Sequence, residues 1–300
     1  MMRRPLIIIL TLAIFVSVGY SQNLKPYILG AISDQPLDIA KTYAREHLDS
    51  ADFEILGEYA PAGDESRWVI VVTDAEILAA VQSFGELRGF ASAVRVGLTE
   101  ENGKVNISYT NPIYLGNAYF QKDYQEVAHH WIFANRKLSD IMPKLGTPVG
   151  TAFGSDEGMS AKELRKYHYM FGMEYFEDVV ELNEFSSFEA GKEMIESELA
   201  KDGDTELVYS VEVPGRNLKL YGIALGGDKG EAHFLPIIDV ASPKHTAFLP
   251  YEILLLDDTA VMMHGRYRIA LSFPDLTMGT FGKIMSTPGD IKELMESVTE

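Results

Sequence analysis

The sequence predicts an α+β protein made of two tandem β-α-β4-α repeats, with antiparallel sheets that pack helices on one face. Three observations predict this class. Strand-like and helix-like segments alternate, the same element order occurs in both halves, and a glycine-rich segment lies between the halves. The predicted domains are a signal peptide over residues 1–21, a first α+β repeat over 22–145, a linker over 146–158 and a second repeat over 159–300.

The first repeat opens with a strand and a helix that carries its apolar residues on one face. Two strands joined by PAGDES follow, and Thr73 with Glu76 is predicted to form a capping box for the next helix. A second strand pair turns at EENG, and a long amphipathic helix is expected to end before Pro143. The predicted strands are PYILGAIS, FEILGEYA, RWVIVVT, FASAVRVGLT and KVNISYT.

The second repeat follows the same order. Ser186 and Glu189 are predicted to cap its first helix, a hairpin turns at Pro214-Gly215, and Thr287-Pro288 opens a last helix. The predicted strands are EYFEDVVEL, TELVYSVEV, NLKLYGIALG, FLPYEILLL, AVMMH and RYRIALSF. The segment GKVNISYTNPIYLG aligns with GRYRIALSFPDLTMG through a glycine nine residues before a proline in each. These matches predict an internal duplication.

The first 21 residues have the pattern of a secretory signal peptide. Arg3 and Arg4 precede an apolar run over residues 6–18, and the small residues Gly19 and Ser21 precede an expected cleavage site. The alternative is an uncleaved membrane anchor, but the run is shorter than the roughly 20 residues that span a bilayer. We therefore expect an exported protein, periplasmic or extracellular, that touches a membrane only through this segment if it stays uncleaved.

Composition excludes several functional classes. The chain contains no cysteine, which excludes disulfides, thiolate metal sites and cysteine nucleophiles. Its formal net charge of −18 repels phosphate backbones, so we expect no nucleic-acid partner. The expected partner is a small molecule or another protein, with a homodimer as one possibility.

Two segments of the second half carry a family resemblance. Leu249-Pro250 precedes a strand, Pro274 follows the next strand pair, and residues 291–298 form the last helix. In these features the chain resembles the bacterial family known as domain of unknown function three-zero-two, although Tyr251 stands where that family usually has a cysteine. In the first half only the strand pair and Pro112 match. The resemblance implies a TATA-box-protein-like β-α-β4-α fold, often paired, and it implies no established activity.

The segment KYHYMFGMEYF, residues 166–176, is a weak candidate metal site. His168, Met170 and Met173 are soft ligands that suit copper(I) in an exported protein. The capping box of Ser160 and Glu163 predicts a helix up to Phe171, on which the histidine and the methionines would lie on different sides. We therefore interpret the segment as part of the core. The adjacent His129 and His130 are likewise not spaced to chelate one ion.

Two other groups are candidate ligand-binding residues. Tyr109, Asn111 and Tyr114 lie where a strand meets a helix, and aromatic residues with one amide often line small-molecule pockets. A packing corner explains them almost as well. His264 and Arg266 flank a predicted turn and could bind a carboxylate, although a solvated hairpin tip is the simpler interpretation.

The sequence predicts no catalytic residue and no cofactor. It lacks the nucleophile elbow, the zinc-protease motif, the calcium loop and the dinucleotide fingerprint, and GTPVGTAFG lacks the lysine of a phosphate loop. Whether it is an enzyme stays open, and we favour a non-enzymatic module that binds a ligand or a partner. The alternatives are an extracytoplasmic hydrolase that uses dispersed acidic residues and a His/Met protein that handles a metal or haem.

Overall fold

The computed structural model describes residues 23–300, so the predicted signal peptide lies outside the described residues. The α+β class is confirmed, because this part of the chain folds into two antiparallel sheets with helices packed against them. No helix within these residues is both long and apolar enough to cross a membrane.

The first sheet, over the described residues, contains six strands in the spatial order 2-3-4-5-1-6. Its strands are β1 (Tyr27–Ser33), β2 (Glu54–Tyr59), β3 (Arg67–Thr73), β4 (Val94–Glu101), β5 (Lys104–Thr110) and β6 (Thr147–Phe153). Its helices are α1 (Leu37–Asp49), α2 (Ala75–Phe84), α3 (Pro112–Phe120) and α4 (Tyr124–Leu145). Helix α4 packs on the other three helices and on β1, and its fully buried Trp131 lies at the centre of the core.

The second sheet, in the same part of the chain, contains five strands in the order 7-11-10-9-8. Its strands are β7 (Val180–Glu184), β8 (Thr205–Glu212), β9 (Leu218–Leu225), β10 (Tyr251–Leu256) and β11 (Thr259–Met262). The helices of this half are α5 (Ala161–Leu164), α6 (Phe188–Leu199), α7 (Glu231–Ile238), α8 (Gly265–Ser272), α9 (Met278–Phe281) and α10 (Thr287–Glu296). Apart from β6, both sheets place the strands of their half in the order second, third, fourth, fifth, first. The tandem duplication itself stays a prediction.

Each sheet packs on its own helices with one face and on the other half with the other face. In β10, Leu255 packs so closely on Gly191 of α6 that a Cβ atom there would lie 2.8 Å from its side chain. The preceding residue, Leu254, points the opposite way and would lie 2.5 Å from a Cβ atom on Gly89 of the first half. Successive side chains of a strand point to opposite faces of the sheet, so adjacent residues pack on opposite sides.

The two halves contact each other reciprocally. The 3₁₀ turn Glu86–Ala91, before β4, packs on β10, and the 3₁₀ turn Thr246–Phe248, before β10, packs on β4. Edge strands β2 and β8 also meet. A Cβ atom on Gly57 would lie 1.9 Å from the Val208 carbonyl oxygen, so only glycine permits this approach.

The structure corrects the prediction of a strand over RYRIALSF, because residues 265–272 form helix α8. Tyr267, Ile269 and Leu271 are all buried, and a short segment buried on several sides shows no reliable period. The alignment of GKVNISYTNPIYLG with GRYRIALSFPDLTMG was therefore wrong, since it matches a strand with a helix.

Several predicted boundaries also change. Asp74 and Ser187, rather than Thr73 and Ser186, cap their helices by accepting from the backbone three residues on. Helix α4 continues through Pro143, and the helix after Ser160 ends at Leu164 rather than Phe171, although its capping box is confirmed. The predicted linker contains strand β6, and the first strand of the second half spans only Val180–Glu184.

Candidate functional site

A cleft of about 500 Å³ lies between the two halves, and we call it the interdomain cleft. The first half contributes Lys25 and residues 152–156, which include the end of β6 and the loop after it. The second half contributes residues from 238–245 and 273–280, which belong largely to irregular segments. The walls are mainly apolar; the side chains responsible are Phe153, Ile238, Val240, Phe273 and Leu276.

His245 lines this cleft and is itself buried. Its Nδ1 lies 2.9 Å from Oδ1 of Asp239, and its backbone N–H donates to the same oxygen over 2.9 Å. Because an ionised carboxylate only accepts, Nδ1 carries a proton that it donates to Asp239. Nε2 has no protein hydrogen-bond partner within residues 23–300. The Cδ2 edge of the ring, next to Nε2, lies beside Gly154 of the cleft wall.

Asp239 holds the imidazole in this orientation. Its carboxylate is buried and also accepts from Arg67, which comes from the first half. Burial alone would raise the pKa of Asp239, but the hydrogen bond and charge of His245 and the charge of Arg67 hold that pKa below its usual value. Asp239 therefore fixes the orientation of the imidazole through the hydrogen bond from Nδ1.

Aromatic rings surround His245. Its ring centroid lies 4.6 Å from that of Phe273, 5.1 Å from that of Tyr27 and 5.7 Å from that of Phe153. Tyr27 and Phe153 sit opposite each other on the paired strands β1 and β6, so the first sheet supplies one side of this cage. The second half supplies Phe273. The imidazole is therefore a polar group in an aromatic environment that both halves build.

Two charged side chains at the rim of the cleft, those of Asp275 and Lys25, have partners within the protein. Asp275 accepts from the Ser155 hydroxyl over 3.0 Å and from the Asp156 backbone N–H over 2.5 Å. Lys25 donates to the Asp156 carbonyl oxygen over 2.9 Å. These bonds fix the loop after β6, whereas the buried Nε2 of His245, a residue that lines the cleft, has no hydrogen-bond partner among residues 23–300.

A second cleft, of about 610 Å³, lies where β2 approaches β8, and it contains Glu231. The Glu231 carboxylate accepts from the Tyr59 hydroxyl over 2.9 Å and from the Ala62 N–H over 2.8 Å, so it also joins the two halves. Burial raises the pKa of Glu231 to about 7, against the lowering effect of these hydrogen bonds. The Glu231 carboxyl group therefore titrates near neutral pH.

The predicted ligand-binding residues Tyr109, Asn111 and Tyr114 are buried and lie outside the interdomain cleft. Asn111 caps α3 by accepting from the backbone N–H of Ile113, and Tyr114 donates to the Leu271 carbonyl oxygen over 2.9 Å across the two halves. The polar atoms of Asn111 and Tyr114 form hydrogen bonds inside the protein, which agrees with the packing-corner interpretation.

His264 and Arg266 lie at the start of α8, not at a hairpin tip. His264 caps the helix through Nδ1, and its Nε2 lies 3.4 Å from Glu174 Oε1. Burial holds the pKa of His264 below its usual value, although the Glu174 charge opposes this. Arg266 lies 3.4 Å from the same Glu174 oxygen. A carboxylate of the protein itself thus occupies the position predicted for a carboxylate ligand.

The predicted soft-ligand segment is irregular, and the core interpretation is confirmed for its last residue, Phe176, but not for the residues around Met170. His168 Nδ1 lies 2.8 Å from the Met170 carbonyl oxygen, Met170 is exposed, and Phe171 is 99% exposed. The core interpretation of this stretch was therefore wrong for these residues, because the chain turns at Gly172 instead of entering a strand at Met173. Among residues 23–300 no three His, Cys, Asp or Glu side chains cluster in a way that could hold a metal ion.

Sequence reasoning missed His245 and Asp239. They lie in DVASPKH, a segment with neither helical nor strand periodicity, and six positions separate them. The only local signal is the proline-containing irregular stretch between two apolar elements, where binding residues are often found. The contact with Arg67, 172 positions away, depends on how the halves pack.

Comparison of the chain with protein-family models, with curated proteins and with solved structures finds no match.

Proposed function

We propose that this protein is an exported, non-enzymatic binding module that takes up a small, mainly apolar organic molecule bearing one hydroxyl or carboxyl group. The molecule would lie in the interdomain cleft with its polar group at His245. The exported location is part of the proposal and depends on the signal pattern of residues 1–21.

The observation that carries the proposal is the free Nε2 of a buried histidine. A buried polar atom without a partner is unusual, and its desolvation is offset when a ligand supplies the missing hydrogen bond. A hydroxyl group can donate to the lone pair of neutral His245. A carboxylate can accept from Nε2 when the ring is protonated.

The size and lining of the cleft support the same ligand class. A volume of about 500 Å³ lies within the usual range for small-molecule pockets, which combine apolar walls with a few placed polar groups. Phe153, Ile238 and Leu276 would contact the apolar part of the molecule. Because both halves line the cleft, the ligand would contact both.

The test measures thermal stabilisation by a probe panel of alkylphenols, medium-chain alkanoates and the hydrocarbons of matching shape. We expect the phenols or alkanoates to raise the unfolding midpoint and the hydrocarbons to have a smaller effect. The His245→Asn variant keeps an amide N–H that can donate to Asp239 but lacks Nε2, so this preference should disappear. Exposed His233 lies outside this cleft, and His233→Asn is the matched control. Equal stabilisation of wild type and His245→Asn, or none by any probe, would contradict the proposal.

The Asp239–His245 pair favours one second candidate, a hydrolase in which His245 activates water as a general base. This differs from the hydrolase expected from dispersed acidic residues, since a histidine performs the proton transfer. The measurement is the hydrolysis of p-nitrophenyl esters of short and medium acyl chains. Hydrolysis that falls at least tenfold in His245→Asn, and not in His233→Asn, would establish the enzyme and replace the binding proposal.

A further inference from the structure

Three charged side chains are buried together at the contact between the two halves. Arg95 comes from β4, Arg268 from α8 and Glu252 from β10, and their side chains are 4%, 4% and 1% exposed. We call them the buried charge cluster. Arg95 donates to Oε1 of Glu252, and Arg268 Nη1 donates to Oε2 over 2.8 Å.

The buried charge cluster has one positive charge in excess. Both guanidinium groups are always protonated, and the charge of Glu252 raises the pKa of Arg95 further although burial opposes it. The single carboxylate, which also accepts from the Tyr209 hydroxyl over 2.7 Å, balances only one of them. An uncompensated charge in a protein interior is strongly unfavourable, so a negative charge is needed here.

The other buried carboxylates described in the structure bind other partners. Asp239 pairs with Arg67 and His245, and Asp74 pairs with Lys137 over 2.8 Å. Glu231 accepts hydrogen bonds from Tyr59 and from backbone N–H groups, and it forms no ion pair with an arginine among residues 23–300. Among the described residues, no carboxylate other than Glu252 forms an ion pair with Arg95 or Arg268.

A small cavity adjoins both arginines. It has a volume of about 20 Å³, enough for about one water-sized body. The Nε atoms of Arg95 and Arg268 have no protein acceptor among residues 23–300. Tyr27, Tyr114 and Tyr119 also line the cavity, and burial raises the pKa of each, so these hydroxyls stay neutral.

We propose that this cavity binds one monovalent anion of the size of chloride, held by Arg95 and Arg268. A volume of about 20 Å³ favours one small anion over a phosphate or a carboxylic acid with a carbon chain. Arg95 belongs to the first half and Arg268 to the second, so the anion joins the halves. This site is separate from the interdomain cleft and does not depend on the proposed function.

The experiment has two readouts on the full-length mature protein. The first compares the thermal unfolding midpoint in sodium chloride and in sodium gluconate at equal ionic strength, which keeps charge screening the same. We expect a saturable rise with chloride concentration. The second is a crystal grown in sodium bromide, in which we expect an anomalous bromine peak in the cavity.

The matched variants are Arg95→Gln, which leaves a neutral Arg268–Glu252 pair, and Arg136→Gln on an exposed face of α4 as control. The chloride-dependent shift should vanish in Arg95→Gln and persist in the control. A wild type that responds equally to chloride and gluconate, a cavity without a bromine peak, or an undiminished shift in Arg95→Gln would each overturn the proposal. If Arg95→Gln does not fold, the two wild-type readouts decide.

Discussion

Arg67 and Asp239 form a buried ion pair between the two halves, and the same Asp239 carboxylate orients His245. The structural contact between the halves and the geometry of the candidate site therefore share one carboxylate. A substitution at either end of this pair affects both the stability of the interface and the imidazole that faces the cleft.

We expect Asp239→Asn to lower the free energy of unfolding by about 3 kcal/mol, because it removes the buried one of the two carboxylates that pair with the Arg67 guanidinium. Urea unfolding at neutral pH measures this change. The control is Asp34→Asn, which breaks an exposed pair with Lys104 and should change the free energy by less than about 1 kcal/mol. Equal effects of the two substitutions would contradict the assignment of a buried pair.

The pKa of Glu231 predicts a pH dependence of stability. That pKa is about 7 in the folded protein against 4.5 in the reference state, so between these values the folded protein holds a proton that the unfolded chain has lost. The contribution of Glu231 to the free energy of unfolding should therefore be largest below about pH 4.5 and fall by roughly 3 kcal/mol as the pH rises through 7.

The Glu231→Gln variant isolates this contribution, because glutamine does not titrate. The difference between the wild-type and variant stability curves, measured by urea unfolding from pH 5 to 8, should show the expected fall. Exposed Glu65→Gln serves as the control and should run parallel to wild type. Parallel curves for wild type and Glu231→Gln would show that Glu231 is already ionised at pH 5.

We expect Gly57→Ala to destabilise the protein by about 1–3 kcal/mol, because the new methyl group would meet the Val208 carbonyl oxygen where β2 approaches β8. Gly203→Ala is the matched control, since no atom lies within 4 Å of its added Cβ atom. Thermal unfolding of both variants measures the difference. A Gly57→Ala protein as stable as the control would rule out the close approach of the two strands.

We expect Tyr114→Phe to lower the free energy of unfolding by about 1 kcal/mol, because it removes the hydrogen bond to the Leu271 carbonyl oxygen between the halves. Probe binding to the interdomain cleft should be unchanged, since Tyr114 lies outside it. Tyr43→Phe, at an exposed position on α1, is the control for stability. Loss of probe binding in Tyr114→Phe would restore the ligand-binding role that the sequence suggested.

The sequence predicted those parts of the fold that depend on local periodicity. In β3 the run Val69–Val72 is wholly buried, and in α1 the residues Leu37, Ala40, Ala44 and Leu48 form one buried face. Helix α8 was not predictable in this way, because the second half buries it among other elements. Strand β6 was hidden by its glycine and its exposed side chains, and it is recognisable only through pairing with β1.

The candidate site was harder to predict than the fold, because its chemistry depends on groups that folding alone brings together. His245 has an ordinary sequence context, and its environment comes from Tyr27, Phe153 and Phe273 at distant positions. The buried charge cluster likewise joins Arg95 with residues more than 150 positions away. Neither a motif nor a spacing rule describes such contacts.

Strand β6 gives the connection between the halves a mechanical role. Its hydrogen bonds to β1 anchor it in the first sheet, while its last residue and the loop after it form a wall of the interdomain cleft. The same segment of chain therefore connects the halves and lines the cleft. Opening of the cleft would therefore break the hydrogen bonds between β6 and β1 or move the loop at residues 154–156. A molecule bound in the cleft would resist both movements.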